Sequence, residues 1–328
     1  MNPMLTRRQF QLLLLAQALV GVGMARADDF PARSLRLLVP SGAGSSGDVI
    51  MRVLAEQLAA QLKQPVIVET RPGADGLIAM QGLMSAPADG YTLLLIGPQP
   101  MVFNPLLRND LPYKVSDLRP VVGVVRGWTV LTAGPNSRFA SYDDLVAAAR
   151  KQREDVTMGT DGLSFRVGAT LLGRKIGAEF RHVPYKTFTQ VLTDLTSGVL
   201  DVALVNAAAT VPLVNAGKLR VLAAASKERL PQLPQVPTVR ERGTDFDLSL
   251  WTALAVRAGT PEPVVRKLEA ELLKALASKE FSALVAKLAT LELSAGTAQA
   301  VAAEIAADIA RYRDIVGEIA AQQAAEKR

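Results

Sequence analysis

Cysteine is absent from all 328 residues, which excludes disulfides, thiolate metal sites, cysteine nucleophiles and the lipid-modified cysteine of a lipoprotein. Histidine occurs once, as His182, so neither a multi-histidine zinc centre nor a Cys-His pair can be built. A Ser-His-Asp triad needs one histidine only, but no Gly-x-Ser-x-Gly elbow accompanies it. His182 therefore reads as structural, and no catalytic residue, metal or cofactor is expected. Aromatic residues make up 5% of the chain and no basic block alternates with them, which speaks against a nucleic-acid binder. Beyond the first residues no run approaches the roughly 18 apolar residues needed to span a bilayer.

The N-terminus has the form of an export signal over residues 1–27. Arg7 and Arg8 open it, Leu12 to Val22 is its apolar core, and Ala25-Arg26-Ala27 suits cleavage before Asp28. Thr6-Arg7-Arg8-Gln9-Phe10 fits a twin-arginine signal as well as an ordinary secretory one. Losing Arg7, Arg8 and Arg26 leaves 34 basic against 31 acidic residues, a net charge of +3. A periplasmic, unanchored, monomeric protein is expected.

Gly42-Ala43-Gly44-Ser45-Ser46-Gly47 is a Gly-x-Gly-x-x-Gly between an apolar run (Leu35 to Val39) and a helical pattern opening at Asp48. Glycines admit a ligand close to the backbone, and the first amides of a helix point at negative charge. Glu69 ends the next apolar run, about where a dinucleotide fold places its ribose carboxylate. The loop therefore suits a pyrophosphate or a carboxylate, and the first option makes an exported nicotinamide-dependent oxidoreductase one reading.

Strand-like and helical segments alternate along the rest of the chain, the pattern of a parallel α/β architecture. Leu35 to Val39, Val66 to Val68 and Tyr91 to Ile96 form a first set, with a helix bearing Ile50, Leu54, Leu58 and Leu62 on one stripe. A second set starts with Val121 to Val125 and Thr129 to Thr132. It continues through a helix capped by Ser141, Val156 to Met158, a loop Gly159 to Ser164, Phe180 to Val183, Asp201 to Val205 and Leu219 to Ala224. Three late helices (Pro263 to Ala277, Phe281 to Leu288, Ala298 to Ile315) are expected to return to the first domain. Two strand-loop-helix units would then face each other across a cleft, with ligand at the carboxyl ends of the strands.

Short segments in a fixed order, among them Val39-Pro40, Arg71-Pro72-Gly73-Ala74, Ala88-Asp89-Gly90-Tyr91-Thr92-Leu93, His182-Val183-Pro184-Tyr185-Lys186 and Leu233-Pro234-Gln235-Val236-Pro237-Thr238-Val239, carry a resemblance. The chain resembles the periplasmic solute-binding proteins of tripartite tricarboxylate transporters, the TctC or Bug family, over nearly its whole mature length. The resemblance implies a type II periplasmic binding protein fold: two α/β lobes joined by two crossing strands, near Gly127 and Trp251, with the ligand cleft between them. Lobe 1 is expected over 28–127 plus 253–328 and lobe 2 over 128–252. It also implies a function, capture of a small organic carboxylate (di- or tricarboxylate or aromatic acid) for the membrane subunits of a transporter. Presentation to a membrane histidine kinase is the other receptor reading.

In that light Ser41, Gly42, Ala43, Gly44, Ser45, Ser46 and Asp48 become a carboxylate loop, replacing the family's Pro-Phe-Pro-Pro-Gly-Gly with small residues. The second-lobe loop is two residues shorter than usual, with Thr160, Gly162 and Ser164 as donors, Arg166 in a histidine's place, and Asp161 as a group that either caps a helix or repels an anion. Gln99 and Phe103 follow the strand ending at Ile96, with Phe103 as plausible in the core as in the wall. Tyr185 belongs to a motif that packs, with Lys186 on the rim. Asn206 stands where many relatives carry the aspartate that meets a ligand ammonium. A neutral Asn206 implies an acid without an amino group, unless Asp161 restores a negative partner.

Overall fold

The computed structural model describes residues 30–151, 156–185, 187–288 and 291–326. The expected signal segment and Lys186 lie outside the described residues. Ten strands form one curled sheet: β1 (Leu35–Val39), β2 (Val66–Thr70), β3 (Thr92–Ile96), β4 (Leu118–Ala133), β5 (Thr157–Thr160), β6 (Arg181–Pro184), β7 (Val202–Asn206), β8 (Arg220–Ala225), β9 (Ser249–Arg257) and β10 (Leu291–Leu293). The helices are α1 (Ser46–Leu62), α2 (Leu77–Met84), α3 (Tyr142–Arg150), α4 (Leu163–Ile176), α5 (Phe188–Ser197), α6 (Ala207–Asn215), α7 (Glu262–Leu276), α8 (Lys279–Leu288) and α9 (Ala298–Glu326). A π turn (Gln99–Phe103) runs into one helical turn (Asn104–Leu107) after β3.

The strand order is β2-β1-β3-β9-β4-β7-β5-β6, with β8 and β10 also paired to β4. β1 lies parallel to β2 and β3, and β5 lies parallel to β6 and β7. β4 and β9 run against their neighbours, so the sheet is parallel within each lobe and antiparallel at the two crossing strands. The two strand readings, Val121 to Val125 and Thr129 to Thr132, are one continuous strand that passes through Gly127. Leu118 to Trp128 pair with β9, whereas Thr129 to Ala133 pair with β7 and β8. On the return, the Leu248 amide bonds to the Ala225 carbonyl at 2.9 Å and Ser249 pairs with Trp128. Two passes, side by side and bonded to each other, thus link two α/β lobes.

Local chemistry explains the helices that frame the space between them. α1 starts where the Ser45 hydroxyl accepts the Asp48 amide at 3.3 Å, with Asp48 itself favouring the positive end of the dipole. Its Ile50, Met51, Leu54 and Leu58 are buried on one stripe, each worth about 1.5–3 kcal/mol on leaving water. α5 is capped by Thr187, whose hydroxyl accepts the Gln190 amide at 3.4 Å. α6 is capped by Asn206, whose Oδ1 accepts the Ala208 amide at 2.8 Å. Val264, Val265, Leu268 and Leu272 of α7 share a core with β1 and α1. α9 is longer than its apolar pattern suggests, and it meets both lobes. Glu304 pairs with Arg126 at 2.6 Å, Asp308 accepts from Trp251, Arg311 donates to the Asp247 carbonyl at 2.9 Å, and Glu318 pairs with Arg174.

Candidate functional site

A cleft of about 810 Å³ opens between the lobes. Ser41, Ser45, Ser46 and Gly47 come to it from the β1–α1 loop, and Asp161 and Phe165 from the β5–α4 loop and α4. Phe188 opens α5, Asn206 ends β7, Ala208, Ala209, Val211 and Pro212 lie on α6, Leu250 is on β9, and Lys287 and Leu288 end α8.

In the β1–α1 loop Gly44 holds φ +77°, a backbone state that suits glycine. That turn lets the Gly44 amide donate to the Asp48 carboxylate at 2.9 Å. Arg52 pairs with the same carboxylate at 2.9 Å; the Arg52 bond, followed by the Gly44 amide, holds this carboxyl below the usual range. Asp48 is thus buried and serves as a brace beneath the loop, Oδ2 held by the Gly44 amide and Oδ1 ion-paired to Arg52. Ser41 and Ser45 share a hydroxyl hydrogen bond of 2.7 Å. The amides of Ser46 and Gly47, the first two of α1, donate to no protein acceptor among the described residues, as the start of a helix leaves them. Gly47 is packed closely: a Cβ there would sit 3.0 Å from Ser41 Oγ and 3.4 Å from Leu95 Cδ2. Two unpaired amides, a helix dipole and two serine hydroxyls on one wall form an anion cradle.

The facing wall supplies one more donor. With Asn206 Oδ1 committed to the Ala208 amide, the part of its side chain left for a ligand is Nδ2, which only donates. Asn206 is therefore both a helix cap and a cleft residue. Lys287 brings the positive charge of the lining and Asp161 the negative one. Asp161 caps nothing: the α4 N-cap is Gly162, without a side-chain hydrogen bond. Oδ1 of Asp161 is buried and unpartnered among the described residues. Burial pushes its carboxyl above the usual range, opposed by its own backbone amide. Around these groups the lining is apolar, with Phe165, Phe188 and Leu250 prominent.

Ser41, Ser45, Ser46 and Asn206, all expected from the sequence, meet in this cleft. Gly42, Ala43 and Gly44 are exposed on the same loop without lining it. The remaining expected residues lie around it. Gln99 donates to Asn104 Oδ1 at 2.7 Å, and its Oε1 lies 3.5 Å from Ser164 Oγ, a contact between the two lobes. Phe103 is fully buried against Tyr312, ring centroids 5.3 Å apart. Thr160 is buried at the end of β5, where its carbonyl accepts the Tyr185 amide at 2.9 Å. Tyr185 donates to Asp194 Oδ2 at 2.7 Å; burial, then the Asp194 carboxylate, push its phenol up to about 12. Arg166 leaves Nε buried and unpartnered among the described residues, close enough to His182 to oppose its protonation.

Phe165, Phe188, Leu250, Lys287 and Leu288 went unread in the sequence. Phe165 follows the second-lobe loop by one residue and Phe188 follows a Thr cap, so position at a helix start was their signal; Lys287 carries none. Glu69, which suggested a dinucleotide, is held by Arg36 at 2.6 and 2.9 Å and by Arg71 at 3.1 Å and does not line the cleft. Among the described residues no cluster of His, Cys, Asp and Glu could hold a metal, and no helix is long and apolar enough to cross a membrane.

Residues 50–321 match the family described as tripartite tricarboxylate transporter family receptor, TctC. Protein BugT of Bordetella pertussis (strain Tohama I) is 34% identical over 302 residues, 90% of this chain and 92% of BugT. A solved R. palustris protein with adipate superposes with TM-score 0.77 at 28% identity, covering 88% of this chain and 98% of its own. MatC from Rhodopseudomonas palustris, solved with bound malate, gives TM-score 0.74 at 26% identity, covering 88% and 100%. With the paired crossing strands, these likenesses establish the two-lobed, type II-like periplasmic binding fold. The chain belongs to the TctC family of tripartite tricarboxylate transporter receptors.

Proposed function

We propose that this receptor works in the periplasm, where it captures a small organic carboxylate between its lobes and delivers it to the membrane subunits of a tripartite tricarboxylate-type transporter. The observation that carries the reading is the opposition of two donor sets across one cleft: the Ser46 and Gly47 amides on one wall and Asn206 Nδ2 on the other. A carboxylate has two oxygens and accepts from both sides at once. Closing the lobes would dry the site and strengthen each of these bonds. No bond is broken, and the residues read as binding groups only. The lobes that go with this reading are 28–127 plus 253–328 and 128–252, after removal of 1–27 as an export signal. The adipate and malate in the two solved relatives support a carboxylate ligand.

Calorimetric titration of the mature protein with dicarboxylates, tricarboxylates and aromatic acids tests it. One site per chain is expected, with a fluorescence change from Trp128 or Trp251. Silence across a broad acid library overturns it.

A further inference from the structure

Asp161 is the group in the cleft that a plain carboxylate does not explain. The other polar side chains of the lining, and its two free helix amides, can all donate: the Ser46 and Gly47 amides, the serine hydroxyls, Asn206 Nδ2 and Lys287. These suit an anion. Asp161 is an acceptor at the same cavity, and its Oδ1 is buried with no partner among the described residues. A buried carboxylate oxygen without a donor costs free energy that folding alone does not return. Such groups call for a partner, and in a binding cleft a ligand can supply it.

Three observations narrow that partner. First, Asp161 does not cap α4, since Gly162 takes the N-cap position, and its Oδ1 stays without a partner among the described residues. Second, the cation of the lining, Lys287, ends α8 in lobe 1 and is exposed, so it stands ready for a ligand anion rather than for a buried carboxylate in lobe 2. Third, Phe165 and Phe188 line the same cavity, and ring faces accept alkylated or ammonium nitrogen through the quadrupole of the ring. A second ligand carboxylate at this point would meet a like charge, which is destabilising in a dry site.

Resting on the carboxylate reading above, we infer that the ligand is zwitterionic: its carboxylate sits on the α1 amides and Asn206, and a cationic nitrogen pairs with Asp161. Asp161 then sets the ligand class, from a different loop of the same lobe as Asn206.

Matched acids that differ in the nitrogen alone provide the test: 4-aminobutyrate against pentanoate, glycine betaine against 3,3-dimethylbutyrate, and phenylalanine against 3-phenylpropionate, by calorimetry on the mature protein. At least one zwitterion is expected to bind about tenfold or more tighter than its nitrogen-free match. Asp161→Asn, matched in shape, should erase that preference with a melting temperature that holds or rises, since it removes the buried charge, and Asp161→Ser provides a second variant should the first fold poorly. If nitrogen-free acids bind as well as or better than their matches, or if both variants keep the preference, this inference falls while the carboxylate receptor stands. If neither member of any pair binds and the wider acid library is also silent, both fall together.

Discussion

Trp251 Nε1 donates to Asp308 Oδ2 at 2.7 Å, which fastens the second crossing strand to α9. Trp251 is 2% exposed, and burial raises the pKa of Asp308 while the Trp251 bond opposes this. Trp251→Phe keeps a ring but leaves that carboxyl without its donor. A loss of about 1–3 kcal/mol in unfolding free energy is expected, measured by urea denaturation. An unchanged midpoint would show that the bond contributes nothing.

Asn206 has two separable roles. Asn206→Asp keeps a capping oxygen for the Ala208 amide but replaces a donor with a negative charge, so acid affinity should fall at least about tenfold with the melting temperature preserved. Asn206→Ala loses both, and its helix cap costs about 0.5–2 kcal/mol. Paired calorimetry and thermal melts separate the two. Equal affinity in wild type and Asn206→Asp would remove Asn206 from the site.

Gly44 and Gly47 should respond differently to alanine. At Gly44 a Cβ meets open space but the φ of +77° is strained for any L residue, so Gly44→Ala should cost about 1 kcal/mol of stability. At Gly47 the Cβ presses on Ser41 Oγ and disturbs the Ser41–Ser45 pair, so ligand affinity should suffer more than stability. Denaturation and titration of both variants decide it.

His182 supplies a pH dependence. Burial, then the nearby Arg166 charge, lowers its pKa from 6.5 to about 4. Its Nε2 lies 3.4 Å from Thr170 Oγ1, and Arg174, Glu179 and Glu318 line the cavity of about 280 Å³ beside it. The unfolded chain takes up this proton first, as pH falls through 6.5, so the stability is present above that pH and is lost progressively down to about pH 4. His182→Gln should flatten this acid slope. Urea midpoints at pH 7 and pH 4.5 measure it, and an identical slope in both proteins would assign the acid response to other groups.

Much of this was legible because local chemistry wrote it down. Ser141 caps α3 as read, its hydroxyl accepting the Asp144 amide at 3.1 Å, and the Ile50, Leu54 and Leu58 stripe is buried. Ser41, Ser45, Ser46 and Asn206 were found because a glycine loop before a helix and a polar residue after an apolar strand announce themselves. The continuity of β4 was not legible. Gly127 interrupts the apolar run, and it packs closely, for a Cβ there would lie 3.1 Å from Leu291 Cδ2. α6 was missed because Pro212 lies inside it, and proline opposes a helix interior unless packing offsets the cost. β10 exists only through its pairing with β4, and Lys287 reaches the cleft by tertiary folding alone.

The β4 and β9 passes lie side by side, Gly127 paired with Leu250 and Trp128 with Ser249. A bonded pair of strands behaves as a ribbon and not as two independent tethers: it bends and twists readily but resists shear along its length. Such a ribbon fixes the register of the two lobes along its length. A ligand seated beside Asn206, whose own strand pairs with Thr129 of the same ribbon, lies close to the pivot, where small rotations displace the walls least.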